Sequence, residues 1–192
     1  MAPHETGVAT PLTREVDRLY GELLLVLAVL SAAAPLFVEA TLAWSLLLTG
    51  VAGVWWIAID RTLRGLLAGL AWALIALGLG LHLTFHFLLG ALPLDIALGG
   101  GFLLLGIAEL WFGLERFRRR PTARLVTVAG GAVAIVFGLS VPFAWPNLPS
   151  WAGAATVSLM LAGLGGGLLI GSARRRRRHV HPVETSDSSA AT

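Results

Sequence analysis

The sequence predicts an all-α integral membrane protein of six transmembrane helices, arranged as three parallel helical-hairpin repeats with both termini cytoplasmic. Three observations predict it. The 192-residue chain is 56% hydrophobic, with a mean hydropathy of +0.80, and divides into six long apolar runs. All fourteen basic side chains are arginines and fall only on alternate gaps between those runs. An apolar run ending in glycine recurs in every second run, as Leu46-Leu47-Leu48-Thr49-Gly50, Phe102-Leu103-Leu104-Leu105-Gly106 and Leu159-Met160-Leu161-Ala162-Gly163.

Positive charge is retained on the cytoplasmic side during insertion, so the arginines sort the loops into two sets. Arg14 and Arg18 precede run one, Arg61 and Arg64 follow run two, and Arg116, Arg118, Arg119, Arg120 and Arg124 follow run four. Arg174, Arg175, Arg176, Arg177 and Arg178 follow run six. The repeated glycines, at 50, 106 and 163, are two helices apart, so successive units keep one orientation, about an axis near the membrane normal. Six spans of ~20 residues use about 120 residues and leave no room for a second soluble domain.

In chain order, residues 1–19 form a polar N-terminal segment, disordered over 1–12, with a helix starting near Thr13. The membrane domain covers 20–172, as hairpins over about 20–59, 65–113 and 125–171. Span one, about 20–38, follows acidic and basic residues and has no small-residue cleavage site after it, so it reads as a retained span and not as a signal peptide. Glu39 and Thr41 make a tight outer turn into span two, about 42–59. Span three, about 65–89, is long enough to tilt. An outer turn over Gly90 to Asp95 leads into span four, about 95–113, and the largest inner loop follows around Pro121. Span five is about 125–144, and Trp145-Pro146-Asn147-Leu148-Pro149-Ser150 turns into span six, about 151–171. Residues 173–192 form a basic and then disordered cytoplasmic tail.

Trp44, Trp145 and Trp151 fall at the expected outer interface and Trp55, Trp56 and Trp111 at the inner one, where an indole meets both lipid and water. Trp72 lies deeper. Small residues at four-residue spacing, Gly65 and Gly69, then Gly130, Ala134 and Gly138, then Gly163, Gly167 and Gly171, predict close helix packing, chiefly within the third hairpin. The same faces admit a homo-oligomer.

Ionisable groups inside a bilayer are costly and therefore mark candidate sites. Arg18 with Glu22, Asp60 with Arg64 and Glu115 with Arg119 read as interfacial ion pairs one helical turn apart. Glu109 is the deepest carboxylate, ~9 Å along the axis from Glu115. It is expected to bond to a neighbouring helix or reach the arginine loop, with a proton- or substrate-handling role as the alternative. His82 and His86 share one face of span three and read as hydrogen-bonded neutral imidazoles. They also admit a pH-responsive pair facing the outer compartment, or half of a metal site completed by Asp95 or Glu39. His82 lies ~25 Å from the inner end of span three, so it shares no reacting atom with Glu109. With no cysteine, no activated serine and no phosphate loop, the chain is expected not to be an enzyme and to hold no cofactor and no metal. The arginines sit at span ends without a recognition fold, so the expected partners are the bilayer and anionic lipid headgroups, met by Arg174 to Arg178, and not nucleic acid.

The stretch Gly101-Phe102-Leu103-Leu104-Leu105-Gly106-Ile107-Ala108-Glu109-Leu110 before an arginine-rich loop, and Trp145-Pro146 through Trp151 to Gly153 and Gly163, resemble the HdeD family of bacterial acid-resistance membrane proteins. The likeness covers about 20–172. It departs from the family at Glu109, where a basic residue is common, and at Ser158, where an acidic one is. The resemblance implies a non-enzymatic bacterial inner-membrane protein supporting acid or envelope-stress resistance, and it brings no catalytic residues. A small-molecule or ion transporter or channel, or a membrane scaffold that docks partners on its basic cytoplasmic face, are the alternatives.

The expected sidedness is checked with a cysteine at Arg118. Impermeant thiol reagents should label it only after cells are opened, and labelling in intact cells would invert the topology.

Overall fold

The computed structural model describes residues 11–33, 38–59, 66–89, 93–144, 147 and 149–177, without the side chains of 11–14, 38–41, 86–89, 150 and 174–177. These residues form six helices: α1 (Pro11–Ala33), α2 (Val38–Ile59), α3 (Leu66–Leu89), α4 (Leu94–Arg116), α5 (Pro121–Ala144) and α6 (Ser150–Arg177). Proline opens α1 and α5, where its missing N–H is one no helix uses. Phe117 ends α4, donating its N–H to the Gly113 carbonyl at 3.2 Å, and Arg120 N–H closes the next turn on the Phe117 carbonyl at 2.8 Å.

Five helices, α2 to α6, are long and apolar enough to cross a membrane. The first half of α1 carries Arg14, Glu15, Asp17, Arg18 and Glu22, so its apolar part is short, and residues 34–37 of the expected first span lie outside the described residues. Several boundaries differ from expectation. Helix α2 begins at Val38, so Glu39 and Thr41, expected in a tight turn, lie in its first turn; α4 runs through Arg116; and α5 begins at Pro121, which shrinks the expected inner loop to residues 117–120. The first helix begins at Pro11 rather than near Thr13, and α6 runs on through Arg177 instead of ending where the basic tail was expected. Arginine is a good helix former, so a helix has no reason to stop where its apolar face does. Residues 1–10 and 178–192, including Arg178, lie outside the described residues, as does Trp145-Pro146.

Each helix packs on its neighbours in sequence and α6 closes on α1, forming a ring. Additional contacts of α6 with α2 and α4 draw it toward the centre. Large apolar side chains such as Val29, Trp55, Leu67, Val136, Phe143 and Leu159 point outward. The interior holds alanines, Leu24, Leu46, Phe102, Leu105, Met160 and Leu161. Such an outer surface suits lipid, which solvates it as well as protein does.

Close backbone approach holds the ring together. A Cβ on Gly106 would lie 2.6 Å from the Gly131 carbonyl and 2.8 Å from the Ile135 nitrogen, so α4 and α5 touch main chain to main chain. Gly50 presses equally on α3, where a Cβ would lie 2.5 Å from the Leu77 nitrogen. These two repeated glycines do the same job. Gly163 departs from them: it faces Gly130 and Val126 of the preceding helix, while Gly165 meets Gly21 of α1, 2.8 Å from that carbonyl for an added Cβ. The small ridge on α5 also splits. Gly130 faces α6, but Gly138 faces Leu103 and Gly99 of α4. Gly167 and Gly171 do pack within the third hairpin and its preceding turn, against Thr127, Ala123 and Phe117. Gly65 lies outside the described residues.

Substituting Gly106→Ala should destabilise the protein by about 1–3 kcal/mol through overpacking. Gly100→Ala, where an added Cβ meets nothing within 4 Å, should be near neutral. Thermal unfolding of both variants in detergent provides the comparison.

Candidate functional site

Helix α4 turns Glu109 inward, on the same face as Phe102, Leu105 and Phe112, and the side chain is fully buried. Its carboxylate rests in a notch that exists only because Gly130 of α5 and Gly163 of α6 lack side chains. A Cβ on Gly130 would stand 2.7 Å from Oε1, and one on Gly163 would stand 3.3 Å from it. Beside the notch, Thr127 Oγ1 donates to the Ala123 carbonyl at 3.1 Å and to the Gly163 carbonyl at 3.4 Å. Among the described residues, neither Glu109 oxygen has a hydrogen-bond partner. The expected bond to a neighbouring helix and the expected pairing with the arginine loop are both missing there. The loop is too far: Arg116 lies two turns away, roughly 10 Å along the helix, and is engaged elsewhere.

That engagement is a cluster at the arginine-bearing end of the bundle. Arg116 Nη2 lies 3.2 and 3.3 Å from the two Asp17 oxygens, and Trp56 Nε1 donates to Asp17 Oδ1 at 3.0 Å. The guanidinium also stands 5.5 Å above the Trp56 ring, close enough for cation–π attraction. Tyr20 stacks on Trp56 at 5.3 Å, and Phe112 meets it edge-on at 6.0 Å. Trp56, expected in the inner interfacial belt, is therefore a core residue, 5% exposed, whereas its neighbour Trp55 faces outward at 64%. Adjacent helical positions point about 100° apart, so only one of the two can face lipid. Trp44, Trp111 and Trp151 are exposed as a belt requires, and Trp72 is buried.

Above this cluster, Tyr20, Gly53, Trp56, Gly69, Trp72 and Phe112 surround a small central void closed by Leu164. Tyr20 Oη and Trp72 Nε1 are both buried and lack partners among the described residues. The void is an aromatic-walled, apolar space one helical turn from Glu109.

The remaining candidates lie on α2, α3 and α4. His82 is half-buried on α3, just before a kink at Phe85 (φ −110°, ψ 18°), and Asp95 is half-buried in the first turn of α4, where a carboxylate complements the helix dipole. The side chains of His86 and Glu39 lie outside the described residues. Among the described residues, no three His, Asp or Glu side chains form a group able to hold a metal. Arg18 and Glu22 make the expected exposed pair at 2.7 Å, and that hydrogen bond raises the Arg18 pKa above its ordinary value. Glu115 instead accepts from Trp111 Nε1 at 2.8 Å rather than pairing with Arg119. Asp60, Arg64 and Arg178 lie outside the described residues, as do the side chains of Arg174 to Arg177.

Sequence reasoning overlooked Asp17, Tyr20 and the inward turn of Trp56. A signal was present: Asp17 continues, at helical spacing, the buried stripe Tyr20, Leu24, Leu27, Ala28 and Ser31 of α1. No protein-family model, no curated protein and no solved structure matches the chain.

The Asp17–Arg116 pair should be measurable by a double-mutant cycle with Asp17→Asn and Arg116→Met. A coupling of roughly 1–3 kcal/mol in unfolding free energy is expected for a pair with this burial. Additive single effects would leave the cluster without an ionic contribution.

Proposed function

We propose that this chain is a non-enzymatic, multi-pass protein of the bacterial cytoplasmic membrane, of the HdeD type, that supports resistance to acid or envelope stress through the protonation of Glu109. The supporting observation is the placement of that carboxylate. It is fully buried, unpartnered among the described residues, and seated where α4, α5 and α6 meet across glycines. An unpaired charge in a dry core is costly, whereas the neutral acid costs far less. Binding or losing one proton there therefore changes the packing energy of three helices at once, the differential interaction a conformational response requires.

In this reading α1 is the sixth span and the fold is three parallel hairpins with both ends cytoplasmic. The most extensive pairings, α2 with α3, α4 with α5 and α6 with α1, recur every second helix, as such a repeat requires. The arginine-bearing ends of α1, α4 and α6 meet around one recess, which is consistent with a single cytoplasmic face. The glycine-packed surroundings of Glu109 favour a stress role over a conduit.

The test is survival of acid challenge by cells lacking the gene and carrying it back as wild type or as Glu109→Gln, which cannot exchange a proton. Survival with Glu109→Gln should fall to that of cells without the gene, at unchanged protein level. Full survival would remove Glu109 from the mechanism. A proton or solute flux in liposomes that Glu109→Gln abolishes would move the reading to transport.

A further inference from the structure

Gly163, Gly167 and Gly171 of α6 stand one turn apart and bare one face of that helix toward α4, α5 and the turn between them. Each meets a polar side chain. A Cβ on Gly171 would lie 3.3 Å from Arg120 Nη1, one on Gly167 would collide with Thr127 Oγ1, and one on Gly163 would lie 3.3 Å from Glu109 Oε1. The three groups form a file from the arginine-bearing end to the buried carboxylate, in steps of one helical turn, ~6 Å.

Glu109 gives that file a destination: it is fully buried, neither oxygen has a hydrogen-bond partner among the described residues, and Oε1 lies against the bared face. Thr127 is equally buried, and its one hydroxyl proton has two acceptors. The Ala123 carbonyl, at 3.1 Å, lies toward the arginines, and the Gly163 carbonyl, at 3.4 Å, lies toward Glu109. A hydroxyl both donates and accepts, so one placed here can take a proton from one side and release its own to the other. Beyond Glu109 the file stops. Phe102 and Leu105 of α4 and Val157 and Met160 of α6, all fully buried, fill the core there, and Thr156 bonds to the Ala152 carbonyl of its own helix. At the near end the Phe117 ring lies on Gly167 and Gly171, 3.1 Å from an added Cβ at either, and covers the step between Thr127 and Arg120.

We propose that Glu109 exchanges its proton with the arginine-bearing face alone, along this side of α6, with the Thr127 hydroxyl as relay and the Phe117 ring as gate. The inference deepens the reading of Glu109 as a proton-binding group and rests on it, though not on a stress role. When the ring swings aside, water reaches Thr127. A proton joins the hydroxyl oxygen as the hydroxyl's own proton leaves, through one water spanning the remaining turn, for a carboxylate oxygen of Glu109. One proton enters and one carboxylate becomes neutral. Arg120 marks the mouth and transfers nothing, because a guanidinium stays protonated. Of the helices meeting the carboxylate, α5 brings Arg124, exposed, and α6 brings Arg174 to Arg177 at the arginine-bearing end. On α4 itself Asp95 lies at the opposite end, Glu115 is exposed and Arg116 is engaged with Asp17. Among the described residues none of these bonds to Glu109.

Infrared difference spectra of the full chain in liposomes, oriented by the accessibility of an Arg118→Cys reporter, follow the carboxylic-acid C=O band that Glu109→Gln removes. A pH jump on the arginine-bearing face should change the band, and the same jump on the other face should not. Thr127→Val, which keeps the volume and loses the hydroxyl, should slow the change about tenfold, the rate equivalent of one hydrogen bond. Thr127→Ser should restore the rate, Phe117→Ala should raise it, and Thr156→Val, off the file, should respond as wild type. A response from the opposite face, or an unchanged rate in Thr127→Val, would overturn the route and leave Glu109 a proton-binding group. A band that answers to neither face at any pH would overturn the proton-binding reading and the route together.

Discussion

Helices in lipid have little to gain from burying apolar side chains against one another, because the lipid already solvates them; they associate where backbones come close. That constraint organises this molecule. Gly106 against Gly131, Gly50 against Leu77 and Gly165 against Gly21 bring successive helices into main-chain contact, and α6 returns to α1 by the same device. Space between the helices is correspondingly small. Alanine and glycine fill it, and bulky residues such as Val136 and Phe143 are turned toward the surroundings.

A core built this way leaves narrow notches and one small apolar void among the described residues, and the placement of charge follows from the notches. At the arginine-bearing end, Asp17 has a guanidinium and an indole N–H within hydrogen-bond reach, so its burial is compensated. Two turns deeper, Glu109 fits a notch between two glycines that supply space and no donors. The two carboxylates are chemically alike, and their surroundings give them opposite roles. Asp17 ties α1, α2 and α4 together, while Glu109 stands buried and without a hydrogen-bond partner among the described residues where α4, α5 and α6 meet.

The third unit shows how a repeat yields to closure. Gly50 and Gly106 each press on the helix that follows. Gly163 instead turns back to Gly130, leaving Gly165 to meet α1. The extra glycines of α6 allow that helix to pack on two sides, drawing it toward the centre and placing its C-terminal turn over Arg120. The carboxylate notch and the recess at the arginine-bearing end both depend on this displacement.

Six helices, five of them apolar enough to cross a membrane, and the position of Glu109 inside one of these were legible in the sequence, because apolar length and the cost of burying charge act locally along the chain; several helix ends were not. The sequence also announced the exposed Arg18–Glu22 pair, which one helical turn is enough to bring together. Only the tertiary structure decided that Trp56 faces inward while Trp55 does not, that Arg116 belongs to Asp17 and not to Glu109, and that Gly163 serves α5. Each of those depends on which residue lies opposite on another helix, Asp17 and Arg116 being 99 positions apart, and no periodicity within one helix encodes the rotation of its neighbour.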